Sequence, residues 1–200
     1  MTIWPLAASL LLLTAQAGTA LPALPPLVVR SDFDAVAADV AMVTDICFRL
    51  TTGELRWTPR NVNEEMAFVE AAGLTYGVPN GVIDTLGATG RISVNRATMA
   101  SRSRAGYHVI LTLGGQLPGC RVMLAGDPAP GMAQALLASL AAGGWTADVG
   151  LGKDETFERH LLMRNREGRW YRLDFALRSD HTDQLRALIG VSPANPSQAR

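Results

Sequence analysis

Residues 157–178 read FERHLLMRNREGRWYRLDFALR, and this stretch decides the architecture. The polar tetrapeptide NREG at residues 165–168 joins residues 157–163 to a segment in which apolar and polar or small side chains alternate, and this is typical of a β-hairpin. The pattern predicts strands at residues 157–163 and 170–177. Every second residue from 171 onward is apolar, and the residues between are polar or small. The sequence therefore predicts a sheet with one packed face and one face exposed to water.

A second hairpin is expected earlier in the chain. Side chains alternate over residues 107–113, and an apolar segment returns over residues 120–125. Glycine and proline pairs separate the two segments, and such pairs turn the chain. The two hairpins together predict an antiparallel sheet.

Four segments have the signals of helices. Apolar residues three and four positions apart predict a long first helix, and glycines end the first three segments. Asn61, with Glu64 three residues later, is the expected N-terminal cap of the second helix. The predicted helices cover residues 32–50, 62–72, 128–142 and 181–189.

We therefore expect a single α+β domain, with helices packed on one face of an antiparallel sheet of two hairpins and with one disulfide. Residues 74–104 are rich in turn signals and show no clear period, so no elements are assigned to them. The GLGK stretch at residues 150–153 is interpreted as a loop. An aspartate follows its lysine, where a phosphate-binding loop needs a hydroxyl.

The amino-terminal segment has the pattern of an export signal. A short apolar run is followed by small residues, which permit cleavage after Ala17 or Ala20. The run is too short to span a bilayer as a mature helix, so we expect no transmembrane segment in the mature chain. The alternative is an amino-terminal helix or anchor that stays attached. The chain accordingly divides into a signal peptide at 1–20, a proline-rich linker at 21–30, the α+β domain at 31–190 and a flexible tail at 191–200.

The chain has two cysteines, Cys47 and Cys120. In an oxidising compartment such a pair is expected to be joined. No Cys-x-x-Cys spacing indicates redox catalysis, and two cysteines are too few for a structural zinc site. We therefore predict one structural disulfide and a periplasmic or secreted location in a bacterium.

The formal net charge is zero, which does not favour a nucleic-acid partner. The charge is nevertheless uneven, because no acidic residue lies between Asp84 and Asp127. Arginines in such a stretch can bind carboxylates or phosphates. The alternative is that they are ordinary solvated side chains of a loop or strand. The candidate anion-binding residues are Arg91, Arg96, Arg102 and Arg104.

The sequence gives no catalytic motif that singles out a residue. Its three histidines are His108, His160 and His181, and no two have metal-ligand spacing, so no metal or cofactor is expected. No Gly-x-Ser-x-Gly elbow marks a nucleophile, although a dispersed triad would leave no local pattern.

These observations are consistent with two functional hypotheses. The first is a non-catalytic envelope protein that binds an anionic envelope component or another envelope protein. The second is a small secreted hydrolase with a dispersed active site. A cleft that brings a histidine and a carboxylate together would favour the hydrolase, and a surface with one basic patch would favour the binding protein.

Overall fold

The computed structural model describes residues 30–57, 67–82, 99–104, 106–113, 120–126, 132–153, 157–178 and 185–194. Three helices lie in these ranges: α1 (Arg30–Thr52), α2 (Ala67–Ala71) and α3 (Met132–Ala142). Residues 80–82 are also helical. None of the described helices is long and apolar enough to cross a membrane.

Eight described strands form one antiparallel sheet, in the order β1-β2-β3-β4-β8-β7-β6-β5. The strands are β1 (Thr75–Tyr76), β2 (Met99–Arg104), β3 (Tyr107–Leu113), β4 (Cys120–Gly126), β5 (Thr146–Lys153), β6 (Phe157–Arg166), β7 (Arg169–Arg178) and β8 (Leu185–Pro193). Each half of the chain thus contributes a four-stranded meander that follows a helix, and β4 pairs with β8 at the centre of the sheet.

The sheet is larger than the two predicted hairpins, and three segments differ from expectation. The segment predicted as a helix at 181–189 lies largely in β8, whose residues Ala187, Ile189 and Val191 face the core. Pairing with strands on both sides outweighs the weak helical pattern of this short segment. The GLGK stretch belongs to the edge strand β5 rather than to a loop, and β1 and β2 lie in the region to which the sequence assigns no elements.

The hairpin predicted over residues 157–177 is confirmed, and its strands are longer than predicted. β6 and β7 are joined by a two-residue turn, Glu167-Gly168, with φ values of +51° and +79°. Two positive φ values define the turn type that matches the twist of paired strands. Glycine adopts this conformation freely, whereas glutamate does so at a cost of about 1–2 kcal/mol.

The first helix is confirmed over Arg30–Thr52, and Gly53 ends it with a φ of +83°. The second is described only over Ala67–Ala71, because Asn61 and Glu64, its expected cap, lie outside the described residues. Residues 191–193, which the sequence places in the tail, belong to β8.

The main core lies between the helices and one face of the sheet. Phe48 of α1 is fully buried there, with the ring of Trp145 5.4 Å away and that of Tyr171 5.0 Å away, both edge to face. Leu136 and Leu140 of α3 are buried in the same cluster. Aromatic contacts of this geometry add to the stabilisation that burial provides.

The opposite face of the sheet is covered unequally. A second buried cluster, which includes Ile110 and Met123, packs beneath Val78 and Val82. It occupies the half of the sheet that contains β2, β3, β4 and part of β8. Among the described residues, the outer faces of β6 and β7 do not belong to this cluster, although Met163 on the outer face of β6 is buried.

Candidate functional site

The predicted disulfide between Cys47 and Cys120 is present. Cys47 lies on α1 and Cys120 is the first residue of β4, with Cα atoms 5.3 Å apart. Both residues are almost completely buried. The bond therefore fixes the long helix to a central strand of the sheet.

The structure gives two of the four candidate anion-binding arginines a partner within the protein. Arg102 and Arg104 of β2 lie on the helix side of the sheet and both contact the carboxylate of Asp39 on α1. The Nε atom of Arg102 is 3.2 Å from Oδ2, and Arg104 donates to both carboxylate oxygens. The side chain of Asp39 is only 8% exposed. Its charge is therefore compensated by two guanidinium groups.

Arg102 also donates a hydrogen bond of 2.9 Å to the carbonyl of Ala72, at the end of α2. The pair thus joins β2 to both α1 and α2. Arg91 and Arg96 lie outside the described residues. An anion-binding role for the four arginines stays a prediction, and the structure assigns Arg102 and Arg104 a structural contact that the sequence did not indicate.

The histidines do not converge. His160 of β6 contacts the carboxylate of Glu158 at 2.8 Å and stacks on Phe175, on the helix side of the sheet. His108 of β3 contacts the hydroxyl of Ser103 at 2.9 Å, on the other side. Three strands separate β3 from β6, and His181 lies outside the described residues.

The Ser103–His108 contact is the one described arrangement that resembles a nucleophile beside a base. The hydrogen bond reaches Nδ1 of the ring, and no described carboxylate contacts the other nitrogen. No group of three or more histidine, cysteine or acidic side chains that could hold a metal ion occurs among the described residues.

A polar cavity of about 350 Å³ lies where the β6–β7 turn approaches the end of α1. We call it the hairpin-tip cavity. Helix α1 and the residues after it supply one wall, and the turn with the start of β7 supplies the other. Its lining residues are Thr52, Glu54, Arg166, Glu167, Arg169 and Tyr171.

The charges in the hairpin-tip cavity are only partly paired. Glu54 accepts from Arg166 at 2.6 Å and from the hydroxyl of Thr52 at 2.7 Å. Arg169 lies directly opposite Arg166 across the two strands. Like charges in that position repel and destabilise a sheet. Within the part of the chain that the structure describes, neither Arg169 nor Glu167 has an ionic partner.

The walls of the cavity rest on the aromatic core. The guanidinium group of Arg164 lies 4.3 Å from the ring of Phe48, and that of Arg166 lies 5.9 Å from the same ring. Arg164 also pairs with Asp45 of α1 at 3.1 Å. These contacts hold the end of β6 against α1, so the lining side chains are positioned by a packed support.

Backbone strain coincides with the cavity. Glu167 is the one non-glycine residue with a positive φ among the described residues, and its side chain is part of the lining. Strained conformations of this kind are concentrated at functional sites. The sequence marked NREG as a turn, but it did not indicate the two-residue geometry or the approach of α1.

Comparison with protein-family models, with curated proteins and with solved structures gives no match for this chain.

Proposed function

We propose that the protein is an exported, disulfide-stabilised binding protein of the bacterial envelope, located in the periplasm or secreted. Its function is to bind a ligand rather than to catalyse a reaction. The buried disulfide supports the location, because such bonds persist in oxidising compartments. The apolar run and the small residues at the amino terminus support export.

The observation that carries the binding proposal is the opposition of Arg166 and Arg169 at the rim of the hairpin-tip cavity. Glu54 compensates one of these charges. A carboxylate or phosphate group from a ligand would compensate the other, and guanidinium groups bind both anions with paired hydrogen bonds. The volume is at the lower end of the range for small-molecule sites.

The charge of the lining selects the kind of ligand. Two arginines and two glutamates sum to zero, so the cavity does not attract a highly charged polyanion. Glu167, which has no described partner, would instead pair with a cationic group of the ligand. A small molecule with one anionic group and one cationic group, such as an amino acid, complements this arrangement.

Calorimetric titration of the oxidised protein with inorganic phosphate and with each common amino acid tests the proposal. We expect at least one amino acid to bind more tightly than phosphate. Arg169→Ser should weaken that binding about fivefold or more, as loss of a charge-assisted hydrogen bond does. Arg121→Ser, at an exposed site on the opposite face of the sheet, is the matched control and should leave binding unchanged.

The same variant should also change stability in the direction opposite to its effect on binding. Removing Arg169 removes a like-charge contact, so the free energy of unfolding should rise by about 0.2–1 kcal/mol. Binding lost together with a gain in stability would identify Arg169 as a ligand-binding residue. The proposal would be contradicted if Arg169→Ser left binding unchanged, or if the wild-type protein bound phosphate and all amino acids equally weakly.

The location is tested separately. The full chain, expressed in a Gram-negative host, should be released by osmotic shock with an amino terminus at residue 18 or 21. Retention in the cytoplasm would contradict export. It would not bear on the proposed binding in the hairpin-tip cavity, which the calorimetric titration tests separately.

The Ser103–His108 contact supports the hydrolase as a second candidate. A fluorophosphonate probe should then label the protein, and Ser103→Ala should abolish labelling. No labelling of the wild-type protein would remove this candidate.

A further inference from the structure

The lining of the hairpin-tip cavity includes a hydroxyl group without a partner. Tyr171 lines the cavity although it is only 7% exposed, and its ring packs edge to face against Phe48, 5.0 Å away. The hydroxyl has no hydrogen-bond partner among the described residues, and it is not one of the polar atoms there that are closed off from solvent. The small exposed part of Tyr171 therefore includes this hydroxyl, which can donate to a ligand in the cavity.

The hydroxyl of Tyr171 lies within one side-chain repeat of the unpaired Arg169. The two residues are two positions apart on β7, so their side chains point to the same side of the sheet and their Cα atoms are roughly 7 Å apart. Arg166 lies directly opposite Arg169 on β6, which makes it the diagonal neighbour of Tyr171. Long side chains reach across such a diagonal. The three residues therefore offer donors to one ligand.

Hydrogen-bond donors outnumber acceptors around the cavity. The one paired carboxylate of the lining is that of Glu54, whose Oε1 atom is 2.6 Å from Arg166 and 2.7 Å from the hydroxyl of Thr52. Its Oε2 atom is 3.6 Å from the Nε atom of Arg49 on α1. Two guanidinium groups thus share one carboxylate. A guanidinium group has five N–H donors, so Arg166 keeps donors that Glu54 does not use.

The charge around the cavity is positive once Arg49 is counted. The lining carries two arginines and two glutamates, and Arg49, which is not part of the lining, contacts one of these glutamates. Three arginines against two glutamates leave one positive charge. The neighbouring pair of Arg164 and Asp45, 3.1 Å apart, compensates itself. A ligand with a net charge of −1 therefore complements the site better than a ligand with no net charge.

We infer that the hairpin-tip cavity binds an acidic amino acid, one whose side chain ends in a second carboxylate. This inference rests on the proposed function, which pairs the anionic group of the ligand with Arg169 and its cationic group with Glu167. The second carboxylate would accept from Arg166 and from the hydroxyl of Tyr171. The two carboxyl carbons of extended glutamate are roughly 5 Å apart, as four C–C bonds dictate, which suits donors on alternate residues of one strand. Tyr171 is then a specificity-determining residue.

Two other classes of amino acid fit the lining less well. An apolar side chain would contact no aliphatic residue of the lining, and it would leave the hydroxyl of Tyr171 without a partner. A basic side chain would approach Arg166 and would compete with two arginines for the carboxylate of Glu54. Like charges at such distances repel.

Titration of the oxidised protein with glutamate, glutamine and alanine tests the inference, followed by NMR so that weak binding is also measured. Glutamine has nearly the shape of glutamate without its charge, and alanine lacks the side chain beyond Cβ. We expect glutamate to bind about tenfold more tightly than glutamine, as the loss of a hydrogen bond to a charged group predicts, and added salt to reduce the difference. If glutamate binds no more tightly than glutamine, the inference is wrong, and the proposed function stands as long as any amino acid binds. If no amino acid binds, both are wrong.

Tyr171→Phe separates the role of the hydroxyl from that of the ring, because the ring and its contact with Phe48 are kept. The variant should bind glutamate about tenfold more weakly than the wild type and should bind alanine equally well, since alanine does not reach the hydroxyl. Its urea midpoint should be unchanged. A variant with a purely structural defect would lose both ligands together. Equal losses for the two ligands, or no loss for glutamate, would overturn the inference.

Arg49→Ser tests the charge that surrounds the cavity without altering its lining. The side chain of Arg49 is 43% exposed, so its removal should reduce the preference for glutamate over glutamine by about two- to fivefold, as expected for exposed charges. Alanine should bind as before. Arg121→Ser, at an exposed site on the opposite face of the sheet, is the matched control and should bind all three ligands as the wild type does. An unchanged preference in Arg49→Ser, or the same reduction in Arg121→Ser, would count against the inference.

Discussion

Replacing both Arg102 and Arg104 by serine is expected to destabilise the fold by more than the sum of the two single replacements. The two arginines share one carboxylate, that of Asp39, so either can compensate it when the other is missing. Only the double variant leaves the carboxylate unpaired. Because the side chain of Asp39 is 8% exposed, its unpaired charge has little access to water.

The magnitude follows from burial. The two arginines are 30% and 41% exposed, so each pair alone should contribute about 1 kcal/mol, near the upper limit for exposed ion pairs. Leaving a buried charge without any partner costs about 3–5 kcal/mol. We therefore expect about 1 kcal/mol for each single variant and about 3 kcal/mol or more for the double variant.

Urea unfolding of the oxidised protein measures these differences, provided that the dependence of the free energy on urea is unchanged. Adding Asp39→Asn to the double variant should restore about 1–2 kcal/mol, because a neutral amide is less costly to bury than a charge. Replacing the exposed Arg49 and Arg121 together is the control. A loss in the double variant that does not exceed the sum of the two single losses, or no recovery with Asp39→Asn, would refute the reasoning.

Three further stability predictions use the same measurement. Replacing Cys47 and Cys120 by alanine should cost about 4 kcal/mol in the chain-entropy model, since the cysteines are 73 residues apart; a loss below about 1 kcal/mol would contradict that model here. Leu136→Ala should cost about 2–5 kcal/mol because its side chain is fully buried, and an unchanged urea midpoint would contradict its place in the core. Thr44→Val should stabilise by about 1 kcal/mol because its hydroxyl is buried without a described partner; a loss of stability would contradict this.

Local patterns predicted the parts of the fold that depend on local physics. The alternation over residues 170–178 is strong enough to define a strand. The glycines after α1, α2 and α3 end helices because they adopt a positive φ. The disulfide followed from the cysteine count and the compartment, without any knowledge of the sheet.

Elements stabilised by distant pairing were not predictable in this way. β8 has a mixed pattern and contains Gly190, which reads as a helix stop, yet β4 and β7 pair with it on either side. β5 contains two glycines and two register shifts, which hide its alternation. In both strands the decisive contacts are made with residues far away in sequence.

The candidate sites show the same limit. The absence of acids around Arg102 and Arg104 indicated a basic patch, but their partner Asp39 lies on α1, more than sixty residues earlier. The hairpin-tip cavity forms only because α1 ends beside the β6–β7 turn. A pattern along the chain does not contain that proximity.

The repeated order of helix and meander explains why the second hairpin tip is the one with unpaired charge. Residues 101–106 read SRSRAG and residues 163–168 read MRNREG, each at the tip of the corresponding hairpin, so two arginines and a glycine match. At the first tip, both arginines contact one buried carboxylate, and Tyr107 follows the glycine. At the second tip, the two arginines have separate acidic partners on or after α1, and Arg169 follows the glycine. The two halves thus differ in charge at this position. In the second half, Arg169 has no described ionic partner, Glu167 has a positive φ, and both line a cavity. Repulsion between like charges and backbone strain both lower stability, and strained residues cluster at functional sites.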